Sequence, residues 1–154
     1  SDVCSSDLDI QTGIIPNASG SALFEAGRTK IAVAMCVSAD SHGPRQVRGR
    51  QMSGKAELSV LFQLAPFSGG SRFKPGKDVE RPELAALVQQ ALLPAVRLDL
   101  YPKTAIDVHV TVVDMDTSPA GAAAHAATAA SAALTEAGIE MYGLVTGSSA
   151  VRTR

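Results

Sequence analysis

A chain of 154 residues with a formal net charge of −1 is long enough for one domain with its own core, and its length gives no support for two. Hydrophobic residues make up 45% and charged residues 19%, which excludes a disordered chain, while the near-neutral charge excludes a strongly basic nucleic-acid binder in bulk but not a local basic patch. Aromatics reach only 4% without tryptophan, so aliphatic and alanine packing must supply the core; Cys4 and Cys36 have neither metal-ligand spacing nor disulfide-scaffold density, and no apolar run spans a membrane, so a soluble intracellular protein is expected.

The opening "SDVCSSDL" lacks the charged and apolar regions of a signal peptide and reads instead as the translation of a common sequencing-adapter end. Residues 1–8 are therefore set aside as a non-native scar, and residues 9–154 are taken as one domain, expected to be cut at both ends. "GIIPNASGSALFEAGRTKIAVAMCVSAD" predicts a meander: a short strand in "GIIP", a turn at Pro16 to Gly20, a strand over Ser21–Glu25, a tight turn at Ala26 to Arg28 and a strand over Thr29–Val37. In the last of these Ile31, Val33, Met35 and Val37 alternate with Ala32, Ala34 and Cys36. Both faces are apolar or small, which predicts a central strand covered on both sides, with Cys36 buried.

"DSHGPRQVRGRQMSGK" has neither helical nor strand periodicity and marks an exposed loop carrying Arg45, Arg48, Arg50 and Lys55. "AELSVLFQLAPF" returns to strand, with Leu58, Val60, Phe62 and Leu64 on one face, and stops at Pro66. A second loop carries Arg72, Lys74, Lys77 and Arg81 and leads into a helix opened by Pro82 and Glu83, both favoured where early N–H groups are unpaired. Its predicted core stripe is Leu84, Leu87, Val88, Ala91, Leu92 and Ala95, and Pro94 breaks it. "TAIDVHVTVVD" is a strand with Ile106, Val108, Val110 and Val112 on one side and Asp107, His109 and Thr111 on the other. After the turn from Asp114 to Pro119, Ala120 to Ala137 is helical by propensity and ends at Gly138. The order β-β-β-β-α-β-α is that of an α+β, or mixed α/β, domain with two helices on one sheet.

The glycine-containing segments match neither the P-loop nor the dinucleotide fingerprint, and no G-x-S-x-G serine elbow occurs. Asp114 and Asp116, with His109 and His125 nearby in sequence, are compatible with a metal but are read as a capping arrangement at a helix start. His109, on the polar face of its strand, is read as structural or solvated. The two basic loops could follow a phosphate backbone or be solvated charge; composition leaves both readings open.

"NASGSALFEAGRTKIAVAM", "LAPFS", "ELAALVQQALLPAVRLDLYPKTAIDV" and "ALTEAGIEMYGLV" resemble, in order over nearly all of Gly13 to Gly147, the RNase PH-like subunits of the RNA exosome ring. "PAVRLDLYPK" and "AGIEMYGLV" are most similar to one eukaryotic group of these subunits, the mRNA transport regulators. The resemblance implies a fold of the ribosomal protein S5 domain 2 type and partners of three kinds: other RNase PH-like ring subunits, S1/KH cap subunits and RNA. It implies a place in rRNA processing and RNA degradation in nucleus, nucleolus and cytoplasm, with no membrane, cofactor or metal. In phosphorolytic members the turn after the central strand carries a Gly-Ser/Thr-Arg motif that holds the attacking phosphate. Here that stretch is "DTSPAG": Thr117 and Ser118 remain as donors, while Pro119 or its neighbour stands where the arginine is expected, and Pro119 has no N–H. Thr117, Ser118 and Pro119 thus form a degenerate phosphate site, and the family's catalytic acids are expected beyond Arg154. The implied role is a non-catalytic, RNA-touching ring subunit, the alternative being an active phosphate-dependent 3′ exoribonuclease. Arg72, and less closely Lys74, match positions that meet RNA in archaeal ring enzymes.

Overall fold

The computed structural model describes residues 8–38, 54–68, 79–116 and 118–150. Five strands form one sheet: β1 (Leu8–Thr12), β2 (Gly20–Ala26), β3 (Thr29–Ser38), β4 (Glu57–Leu64) and β5 (Ala105–Asp114). Helix α1 (Pro82–Leu92) joins β4 to β5 with a single 3-10 turn at Leu98–Leu100 on the way, and α2 (Pro119–Glu136) follows β5. Strand order is β1-β2-β3-β5-β4, antiparallel throughout except for β4 beside β5, the parallel pair that a helical crossover requires.

The alternation read from β3, β4 and β5 aims one set of side chains at the helices. Ile31, Val33 and Met35, then Leu58, Phe62 and Leu64, then Ile106, Val108, Val110 and Val112 are all buried. Helix α2 lies over β2 and β3, and α1 lies over β4 and against α2. Alanines at 122, 126, 129, 130 and 133 are fully buried, so α2 approaches the sheet closely. At Gly20 that approach leaves no room at all. A Cβ there would fall 2.3 Å from the Ala133 carbonyl oxygen and 2.8 Å from the Ala137 Cβ. The alanine-rich composition is therefore the packing solution of a core with few aromatics: small side chains allow near-contact of backbones, and Phe24 and Phe62 fill the remaining volume.

Three readings of the sequence change. The first strand is Leu8–Thr12 and not "GIIP": Gly13 adopts φ +72°, where glycine is favoured, and Ile14 and Ile15 are exposed. The described residues begin at Leu8, which opens β1 opposite Ala26, and residues 1–7 lie outside them. Strand β3 is central but covered on one side only, because both helices share one face; Ala32 and Ala34 are half-buried and Cys36 is exposed. In α1 the buried residues are Leu84, Ala85, Val88 and Leu92, whereas Leu87 is 54% exposed and Ala91 is also at the surface. The core stripe has turned toward Ala85 since α1 packs on β4 below and α2 beside it. The helix does end before Pro94, at Leu92.

Candidate functional site

Three strand ends meet at one end of the sheet. Strand β3 begins there at Thr29, β4 runs out into the turn Ala65–Ser68, and β5 ends at Asp114 just before α2. Hydrogen bonds tie these pieces together. Ala65 N–H donates to the Val112 carbonyl at 2.8 Å, and Met115 N–H is shared between the Ser68 carbonyl at 3.1 Å and Asp114 Oδ1 at 2.8 Å. Asp116 N–H donates to the buried Thr29 hydroxyl at 3.3 Å. The turn before α2 is therefore held from below by β3 and from the side by the "APFS" turn.

The start of α2 is capped by its own sequence. Ser118 is extended (φ −63°, ψ 156°), its Oγ accepts the Gly121 N–H at 3.4 Å, and its carbonyl accepts the Ala122 N–H at 3.1 Å. Pro119 occupies the first helical position, which suits its fixed φ and lack of an N–H. Of residues 119–122, three thus offer no free N–H to an anion. The expectation that Asp114 and Asp116 form the cap is corrected: Ser118 does so, while the Asp114 carboxylate turns back to Met115 N–H and Asp116 contributes its backbone to Thr29. Both charges in the turn itself are acidic, which suits the positive end of the helix dipole and opposes a bound anion. Thr117 lies outside the described residues.

Beside this turn the Ser68 hydroxyl is buried, 1% exposed, with no hydrogen-bond partner among the described residues, and Phe67 is 67% exposed. Neither Thr29 nor Ser68 stood out in the sequence. Thr29 follows a tight hairpin turn in "GRTK" and Ser68 follows a proline turn, but only their burial at a shared strand end gives them a role.

Arg72 and Lys74 lie outside the described residues, yet the anchors of their loop are placed. The loop leaves from Ser68 and returns at Val79, whose carbonyl accepts the Leu64 N–H at 2.8 Å; Glu80 bridges Gln63, and Arg81 N–H reaches the Phe62 carbonyl at 2.9 Å. Both anchors sit at the end of β4, Ser68 against the 114–118 turn and Val79 on the outer edge of the strand. The other basic loop, with Arg45, Arg48 and Arg50 outside the described residues, leaves from Ser38 and returns before Glu57, both in register with Ala105 at the opposite end of the sheet. An eight-residue β4 separates the two sets of anchors by about 26 Å.

His109 and His125 do not join the acids. His109 is exposed on the open face of the sheet, between Ala34 and Leu61 in register. His125 lies on the helix-covered face, stacked on Phe24 with ring centroids 5.0 Å apart. Among the described residues no three His, Cys, Asp or Glu side chains converge as a metal site, and no helix is long and apolar enough to cross a membrane.

A family model described as "3′ exoribonuclease family, domain 1" (RNase PH) matches residues 6–140. The chain is 39% identical over 145 residues to exosome complex component Rrp41 of Pyrococcus furiosus, covering 93% of this chain and 54% of that protein. It is 38% identical over 150 residues to human exosome complex component MTR3, covering 89% and 52%. Among solved structures, rice (Oryza sativa) Rrp46 superposes with a TM-score of 0.68 at 25% identity, covering 89% of this chain and 58% of that one. The chain spans about half the length of the curated relatives it matches.

Proposed function

The chain belongs to the RNase PH family of 3′ exoribonucleases, and from that membership we infer that it serves as a non-catalytic, RNA-contacting subunit of an exosome ring, taking part in 3′-to-5′ RNA processing and degradation. The observation that carries the reading is the start of α2. Phosphorolysis brings an anionic phosphate against an anionic RNA backbone, so it depends on donors and a cation placed in advance. In this chain the corresponding turn carries Asp114 and Asp116, its first helical residue is Pro119, and Ser118 satisfies the Gly121 and Ala122 N–H groups. A phosphate would have to displace the cap and face two carboxylates. Other RNase PH-like ring subunits, S1/KH cap subunits and RNA are the proposed partners, in nucleus, nucleolus and cytoplasm. The loop holding Arg72 and Lys74 is proposed as the RNA contact because it is anchored beside the same turn.

A second reading, an active phosphate-dependent 3′ exoribonuclease, is favoured by the family's description and by the buried Ser68 hydroxyl next to the turn, which has no partner among the described residues. The two readings part in one assay. The chain is incubated with end-labelled RNA and inorganic phosphate, alone and with ring partners whose own active sites are inactivated. No release of nucleoside diphosphates above a protein-free control is expected, and Pro119→Arg alone does not create activity because groups that act as a unit are not additive. Phosphate-dependent release of nucleoside diphosphates by the unmodified chain would establish the second reading instead.

A further inference from the structure

We draw no further inference here: the strongest candidate, the apolar groove between α1 and α2 lined by Leu87, Ala91, Ala123, Ala127, Val145 and Gly147, is an unpartnered face for which nothing in the structure shows what covers it.

Discussion

Gly20→Ala tests whether α2 and β2 are in backbone contact, the feature on which the alanine-rich core depends. The added methyl would lie 2.3 Å from the Ala133 carbonyl oxygen, 2.8 Å from the Ala137 Cβ and 3.0 Å from the Ala137 N. These obstacles are backbone or Cβ atoms, so no side chain can rotate away; the last turn of α2 or the start of β2 must move by about 1 Å to restore ordinary contact. The motion would also strain the bond from Ser21 N–H to Glu136 Oε2, 2.8 Å long, which ties the same two pieces together. Overpacking of this kind costs about 1 to 3 kcal/mol, and with rigid obstacles the upper half of that range applies. For a chain of this length about 2 to 3 kcal/mol lowers Tm by about 4 to 12 °C. Gly27→Ala is the internal control: its φ of +58° strains alanine by about 1 kcal/mol, but nothing lies within 4 Å of the new methyl. Differential scanning calorimetry of the two variants should therefore rank Gly20→Ala as clearly the more damaging. Equal losses, or a Gly20→Ala chain within a degree of the parent, would refute the close-contact account of this core.

Ser118→Ala removes the hydroxyl cap of α2 and should lower stability by about 1 kcal/mol in denaturant titrations, with the slope unchanged. The segment from Met141 to Gly147 lies along α2 through side-chain hydroxyls, Ser131 Oγ accepting Val145 N–H and Thr128 Oγ1 accepting Gly147 N–H, both at 2.9 Å. Ser131→Ala should thus speed hydrogen exchange at Val145 about tenfold while amides in β5 keep their protection, an opening cost of about 1 kcal/mol. In a reconstituted ring, Arg72→Ala with Lys74→Ala should weaken RNA binding about equally for all sequences and flatten the salt slope by roughly one to two, leaving ring assembly intact. Unchanged RNA affinity and salt dependence in that ring would reduce both residues to solvated charge.

Where one local rule dominates, the sequence by itself determined the outcome. Period-two alternation over Ile31 to Val37, Leu58 to Leu64 and Ile106 to Val112 is a one-dimensional signal, since successive side chains of a strand must point to opposite faces. Pro82 at the start of α1 and Gly138 after α2, with φ +75°, act through their own backbone preferences. That residue 119 offers no N–H at the start of α2 was legible for the same reason, because proline lacks it in any fold. Other features depended on partners distant in the chain. "GIIP" is apolar enough for a strand, but strand status went to Leu8–Thr12, the segment whose backbone finds β2. Cys36 and Leu87 read as core until both helices settled on one face of the sheet and α1 turned toward Ala85, leaving them in solvent. Ser118 and the two aspartates are all competent caps by composition, and Thr29 and Ser68 decided among them by engaging the backbone of Met115 and Asp116. The two basic loops look equivalent in the sequence, yet only one of them departs from an anchor, Ser68, that is bonded to the 114–118 turn, because the crossover through α1 makes β4 and β5 parallel and brings their C-terminal ends together.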